Sequence, residues 1–118
     1  MRIKEKIILI VIFLLGVPSI TYSYSEDDFR RLKQGKLCPC CDLSGADLSA
    51  SNLYNADLTG TDLSEADLTG ANLRRANLSD ANLRDADLTD ADLSGANLSG
   101  AIWTNGVRFE EGSIGQCY

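Results

Sequence analysis

The sequence predicts an all-β solenoid, a chain wound into stacked coils, and three observations support this prediction. Leucine recurs every five residues from Leu43 to Leu98. A small residue, usually alanine, stands two places before each of these leucines. The two places after each leucine hold mostly Ser, Thr, Gly, Asp or Asn, which favour turns. Regular turns between short apolar pairs are typical of a coil with an apolar interior.

The spacing of five fits neither a helix nor a straight strand. On a helix each leucine would lie roughly 140° from the previous one, so no apolar stripe would form. In a strand, side chains alternate between faces, so an odd spacing sends successive leucines to opposite sides. A turn in every repeat resolves the conflict, because it returns each pair of small residue and leucine to the same interior. Stacked coils would then pair their backbones at ~4.8 Å.

Length and composition limit the function classes. The chain has 118 residues, which favours one domain, and its formal net charge of −6 argues against direct nucleic-acid binding. Aromatic residues make up only 7% of the chain, so the core must consist mostly of Leu and Ala. There is no histidine, and no nucleophile has an evident general base. We therefore expect no enzymatic activity and no cofactor.

The first 23 residues are typical of a secretory signal peptide. Arg2, Lys4 and Lys6 precede the apolar run at 7–17, which is too short to span ~30 Å of hydrocarbon comfortably. Removal of residues 1–23 would give an exported protein, either periplasmic or secreted. No alanine is present near the cleavage point, so an uncleaved membrane anchor at residues 7–17 remains the alternative.

Residues 24–40 are predicted to form an N-terminal cap with a short helix. Ser25, followed three residues later by an acidic residue, resembles a capping box. Acidic residues open the segment and basic residues close it, as the helix dipole favours, and Gly35 is the predicted helix stop. Phe29 and Leu32 share one face of this helix, so we expect them to cover the first coil.

Residues 41–105 divide into thirteen units, which read CDLSG, ADLSA, SNLYN, ADLTG, TDLSE, ADLTG, ANLRR, ANLSD, ANLRD, ADLTD, ADLSG, ANLSG and AIWTN. These units resemble the pentapeptide-repeat family. The resemblance implies a right-handed quadrilateral parallel β-helix with four units per coil, and therefore about three coils. The expected core ladder comprises Leu43, Leu48, Leu53, Leu58, Leu63, Leu68, Leu73, Leu78, Leu83, Leu88, Leu93, Leu98 and Trp103.

Residues 106–118 are predicted to form a C-terminal cap. Trp103 occupies a leucine position, so we expect it to fill the end of the core. Val107, Phe109 and Ile114 are expected to complete the cap. A role for Trp103 as a ligand platform is the alternative hypothesis.

Three of the four cysteines precede the first coil. Cys38 and Cys41 form a C-x-x-C pair, and family members with this arrangement are similar there, which implies a Cys38–Cys41 disulfide in an exported protein. Cys40 and Cys117 are left unassigned, either as free thiols or as partners in an intermolecular bridge. A zinc site using all four is disfavoured because Cys117 belongs to the opposite end of the solenoid.

Four units per coil would place residues twenty apart directly above one another. Asp47, Asp67 and Asp87 would then form a column of carboxylates, here named the acidic ladder. Arg74, Arg75 and Arg84 are expected to form a small basic island, with Tyr54 packing on Arg74. The candidate interaction surface comprises Asp47, Asp67, Asp87, Asp90, Asp92, Arg74, Arg75 and Arg84. Weak calcium binding is an alternative, and a solvated exterior that maintains solubility is the interpretation that surface charge favours.

Two functions follow from these expectations. The first is an exported structural or protein-interaction module, a monomer or weak dimer, with an unknown protein or cell-envelope partner. Such a mature chain would not insert stably into a membrane unless residues 1–23 remain attached. The second comes from the resemblance, since some pentapeptide-repeat proteins imitate duplex DNA and bind DNA gyrase. Those relatives are cytoplasmic and usually longer, which disfavours this function. The family's distribution also implies a bacterial source.

Overall fold

The structure is a computed structural model that describes residues 24–107. The predicted signal peptide lies outside the described residues, as do Phe109, Ile114 and Cys117. One helix, α1 (Glu26–Gly35), precedes the repeats. Within residues 24–107, no helix combines the length and the apolar character needed to cross a bilayer.

After α1, the backbone is paired through ten isolated parallel bridges, each between residues twenty apart. The bridges run from Leu37↔Asp57 to Asn82↔Ile102. Each unit contributes a single bridging residue, so within residues 24–107 no strand is longer than one residue. Twenty residues equal four pentapeptide units, which is the number per coil that the resemblance implies. Residues 37–102 therefore form slightly more than three stacked coils.

Three hydrogen bonds per unit join neighbouring coils. The Leu43 amide donates to the Asp62 carbonyl at 2.8 Å, and the Asp62 amide donates back to the Cys41 carbonyl at 2.8 Å. The Gly45 amide adds a third bond, to the Ser64 carbonyl at 2.7 Å. The same pattern repeats along the solenoid. Bonding between coils thus satisfies backbone groups that an isolated unit would leave exposed.

A turn closes every unit, and its geometry explains the residues at the fifth place. The Ala46 amide donates to the Leu43 carbonyl at 3.0 Å, and Gly45 between them has φ 68°. A turn with positive φ at its third residue is of type II, which favours Gly or Asn at that place. Larger residues also adopt this conformation here, such as Ala50 with φ 52° and Arg75 with φ 58°. The fold therefore imposes the left-handed conformation even where the residue disfavours it.

We expect Gly70→Ala to lower the stability of the fold and Ala50→Gly, at an equivalent turn position, to raise it. Gly70 has φ 65° and nothing lies within 4 Å of a Cβ built on it, so Gly70→Ala changes only the backbone preference. This variant should lose about 1 kcal/mol of unfolding free energy, and Ala50→Gly should gain a similar or smaller amount. Urea denaturation of both variants measures the difference. A Gly70→Ala variant as stable as the wild type would contradict the turn assignment.

The core is the ladder of leucines, together with the small residues that alternate with them. Leu43 through Leu83, and Leu98, are at most 3% exposed. Leu88, Leu93 and Trp103 are partly buried and pack against this cluster. Val107, expected to pack in the C-terminal cap, is instead 62% exposed. Its contribution is a backbone bond, since its carbonyl accepts the Trp103 amide at 2.7 Å.

Helix α1 is capped at both ends. The Ser25 side chain accepts the Asp28 amide at 3.4 Å, as an N-cap does. At the other end, Lys36 takes the left-handed conformation and its amide donates to the Leu32 carbonyl at 2.8 Å. Gly35 is the stop that the sequence predicts, but it is the last helical residue and Lys36 terminates the helix.

The helix is attached to the first coil by polar and apolar contacts. The Asp28 carboxylate accepts the Asp42 amide at 3.1 Å, and the Ser25 amide donates to the Asp42 carbonyl at 3.0 Å. The Asp28 carboxylate thus bonds to the coil, whereas a capping box would direct it to the amide of the N-cap residue. Leu32 is buried in the core cluster, and the partly buried Phe29 packs against this cluster. The helix therefore covers the end of the solenoid, as the sequence predicts.

Candidate interaction surface

The acidic ladder forms as predicted by the twenty-residue coil. Parallel bridges join Asp47 to Asp67 and Asp67 to Asp87, and all three residues are exposed. Each carboxylate also accepts hydrogen bonds from its own turn. Asp47 Oδ1 accepts the amide and the hydroxyl of Ser49, at 3.1 and 2.6 Å. These bonds hold the carboxylates in fixed orientations on the surface.

Hydrogen bonding within the turn favours the ionised carboxylates. It lowers the pKa of Asp47 and Asp87 below the ordinary value of 3.8, and the hydroxyl of Ser49 or Thr89 is the main cause. The pKa of Asp92 is lowered in the same way by Ser94, with a smaller contribution from Arg74. These three carboxylates therefore stay charged at neutral pH.

The depressed pKa values predict a loss of stability in acid. A carboxyl whose pKa is lower in the folded chain stabilises the fold above its unfolded pKa, and this contribution disappears as the pH falls through the folded pKa. For Asp87 the loss of stability should begin near pH 3.8 and continue as the pH falls further. In the Thr89→Ala variant we expect NMR titration to show the Asp87 pKa moving back toward 3.8, because the hydroxyl donor is gone. An unchanged Asp87 pKa would contradict the assigned cause.

The acidic ladder differs from other columns of bridging residues in the described chain. In two of them an asparagine amide donates to the residue one coil away. Asn82 Nδ2 donates to Asp62 Oδ1 at 3.2 Å, and Asn97 Nδ2 donates to Asn77 Oδ1 at 3.2 Å. The side chains of the acidic ladder are all acceptors, so its carboxylates repel one another without a donor between them. The result is one face of concentrated negative charge.

Two arginines and a tyrosine share one corner of the solenoid. Arg75 Nη1 donates to the Tyr54 hydroxyl at 3.4 Å, and Arg74 Nε lies 3.8 Å from Asp92 Oδ2. The predicted contact of Tyr54 with Arg74 is therefore replaced by a contact with Arg75. The two arginines project from adjacent turn positions, and the second of these lies nearer the tyrosine hydroxyl.

The predicted basic island does not form, because Arg84 lies elsewhere. Ten residues, half a coil, separate it from Arg74, which places it at the diagonally opposite corner. Its carbonyl accepts the Glu65 amide at 2.8 Å, and a Cβ on Gly106 would lie 3.4 Å from its guanidinium. The three arginines are close in sequence, but the coil places Arg84 on a different corner from Arg74 and Arg75.

The N-terminal end contains a disulfide between Cys38 and Cys41, the pair that the resemblance implied. Both cysteines are buried, at 0% and 2% exposure. Thr61 is also fully buried, and its hydroxyl donates to the Cys38 carbonyl at 2.6 Å. Cys40 lies outside the bridge with its side chain exposed. The bridge therefore spans the first turn of the first coil, at residues 38–41.

Comparison with known families agrees with this architecture. A family profile described as pentapeptide repeats (8 copies) matches residues 41–80 and 66–102, more than half of the chain. The chain belongs to the pentapeptide-repeat family. No curated protein sequence matches it at a significant level.

Two solved pentapeptide-repeat proteins are similar in structure. One, from the thylakoid lumen of Arabidopsis thaliana, is 38% identical with a TM-score of 0.52, over 58% of this chain and 46% of that one. This chain therefore spans less than half the length of the Arabidopsis protein. The other, Rfr23 from the cyanobacterium Cyanothece 51142, is 25% identical with a TM-score of 0.51, over 75% of this chain and 97% of that one.

Within the pentapeptide-repeat pattern, Thr61 is the residue that sequence reasoning missed. It occupies the small position two places before Leu63, where alanine usually stands. A hydroxyl at an interior position is a signal, because a buried polar group requires a partner. No buried side-chain nitrogen or oxygen in residues 24–107 lacks such a partner. Over the same residues, no three His, Cys, Asp or Glu side chains are grouped so as to hold a metal ion.

Proposed function

We propose that this pentapeptide-repeat protein is an exported, non-enzymatic module whose right-handed, four-sided β-helix presents polar faces to a protein or cell-envelope partner. The disulfide between Cys38 and Cys41 is the observation that most strongly supports export. Disulfides persist in oxidising compartments and are rare in the cytosol. Here the bridge is buried at the first turn of the first coil, where it contributes to the fold.

The Arabidopsis relative also supports an extracytoplasmic location, since it is a protein of the thylakoid lumen. A similar compartment for this chain agrees with the basic and apolar pattern of residues 1–23.

Binding through the polar faces is supported by their rigidity. Hydrogen bonds between coils recur along the described repeats, and short bonds within each turn hold the acidic side chains. A preorganised surface loses little conformational entropy when a partner binds, so modest contacts suffice for recognition. Rigid polar faces therefore suit an interaction module better than a mobile surface would.

Fractionation of cells that express the native chain, with mass spectrometry of the N-terminus, tests the proposal of export. We expect an extracytoplasmic product that begins near Tyr24. The matched control is Leu14→Arg, which places a charge in the apolar run and should leave the chain unprocessed. A full-length cytoplasmic product would contradict export. A full-length membrane-bound product would favour the anchor at residues 7–17.

The acidic ladder favours a second candidate function, the imitation of duplex DNA toward DNA gyrase. Its carboxylates stack at the ~4.8 Å spacing of parallel strands and form a regular column of negative charge. A gyrase supercoiling assay tests this function with the wild type and with Asp47→Asn/Asp67→Asn/Asp87→Asn. Inhibition by the wild type and none by the variant is expected for a mimic. Supercoiling that is unaffected by excess wild-type protein would exclude the function.

A further inference from the structure

One face of the solenoid lies between two corners of opposite character. We name it the asparagine face, because Asn52 and Asn72 lead its column of bridging residues, followed by Asp92. The bulky corner comprises residues 54–55, 74–75 and 94–95, and the small corner comprises residues 49–50, 69–70 and 89–90. Each corner stacks one two-residue turn from each of three coils.

The bulky corner projects large and cationic side chains. Tyr54 is 40% exposed, and both Arg74 and Arg75 are exposed. The bond from Arg75 to the Tyr54 hydroxyl holds these two side chains together across the coil boundary. Tyrosine and arginine are among the residues most enriched at the positions that dominate the energetics of protein interfaces.

The small corner has the complementary shape and charge. Ala50 is exposed, and the space around a Cβ at Gly70 is open to 4 Å. One coil further, the same corner presents the exposed carboxylate residue Asp90. The small corner therefore carries small side chains at the levels where the bulky corner carries large ones. Its third coil carries a negative charge, at Asp90.

We propose that the asparagine face binds the same face of a second copy of this chain, in a parallel two-fold dimer. A two-fold axis that lies in the interface and parallel to the solenoid exchanges the two corners, so each bulky corner meets the small corner of the other copy. In register, Tyr54 covers Ala50 of the second copy. Arg75 enters the open space at Gly70 and reaches Asp90, one coil or ~4.8 Å further along the axis.

The centre of the face accommodates this arrangement. Asn52 and Asn72 each meet their own counterpart, and amide side chains both donate and accept hydrogen bonds. Asp92 also meets its counterpart, but each Asp92 already has Arg74 beside it at 3.8 Å. The like charges at the axis are therefore each matched by a cation.

The dimer should be weak. Three coils make a face ~14 Å tall, which buries far less than the ~800 Å² per partner of a standard interface. We expect a dissociation constant on the order of 0.1–1 mM.

Sedimentation equilibrium of the protein in the form that cells accumulate, up to millimolar concentration, tests the proposal. Arg75→Glu and Asp90→Arg should each weaken the dimer at least tenfold, and the double variant should restore it. The turns accept these residues, because Glu65 and Arg75 occupy the same turn position with φ 59° and 58°. Arg84→Glu and Asp85→Arg are the matched controls, since they make the same charge changes at the corner of residues 64–65, 84–85 and 104–105, which does not border the asparagine face.

The experiment distinguishes the proposed dimer from other association. Dimerisation that both controls retain, and that the double variant recovers, supports the asparagine face as the interface. A protein that stays monomeric at millimolar concentration would overturn the proposal. So would a dimer that Arg75→Glu and Arg84→Glu affect equally, or one that the double variant fails to restore.

Discussion

Leu68→Ala should destabilise the protein by about 3–4 kcal/mol of unfolding free energy, as expected for a leucine truncated at the centre of the core. Leu68 is fully buried in a middle coil, with coils stacked on both sides of it. A cavity there removes contacts to both neighbouring coils, and the hydrogen-bonded backbone limits collapse around it. For a domain of this size the melting temperature should fall by roughly 15 °C or more.

The matched control is Leu88→Ala, which truncates another leucine of the same ladder, one coil further along. Leu88 is only partly buried, so its loss should cost roughly half as much. Thermal melts followed by circular dichroism and by the fluorescence of Trp103 give both values. An equal loss of unfolding free energy at the two positions would contradict the deeper burial of Leu68. Melts that differ between the two probes would show that the coils unfold separately.

The repeat itself could be predicted from the sequence, because each position has one physical task. Leucine and alanine lie inside, and positive φ at the fifth place explains the frequent Gly, Asn and Asp there. The number of units per coil could not be derived from the spacing, since a turn in each unit is compatible with several coil sizes. That number came from the resemblance, and the bridges between residues twenty apart confirm it.

The candidate surface was predictable only in part, because it depends on distances around the coil. The acidic ladder follows directly from the twenty-residue repeat. The grouping of Arg84 with Arg74 and Arg75 failed, since residues ten apart in sequence lie on opposite corners. The pairing of Tyr54 with Arg75 depends on side-chain reach across a coil boundary, which spacing alone does not define.

The bonds of the N-terminal cap show the same limit. A local motif predicted that Ser25 begins the helix, and the structure agrees. The same motif does not reveal that the Asp28 carboxylate accepts the Asp42 amide, because that bond joins residues fourteen apart. A tertiary contact therefore uses the Asp28 carboxylate, which the local pattern assigned to the amide of the N-cap residue.

Breaking the Cys38–Cys41 disulfide should cost about 2 kcal/mol, the loop-entropy value for a bridge between residues so close in sequence. The double variant Cys38→Ala/Cys41→Ala should lose somewhat more, because both sulfur atoms are buried and leave small cavities. Adding a reductant to the wild type should reproduce most of this loss. Urea denaturation with and without reductant measures both effects.

The buried Thr61 hydroxyl makes the test of the disulfide more specific. In Thr61→Val the Cys38 carbonyl loses its 2.6 Å bond, so we expect a further loss of about 1 kcal/mol with the bridge intact. Cys40→Ser is the control, since the exposed Cys40 lies outside the bridge and its exchange should change stability by less than ~0.5 kcal/mol. A wild type whose stability is insensitive to reductant would mean that the hydrogen bonds and the buried Leu32 hold the cap without the bridge.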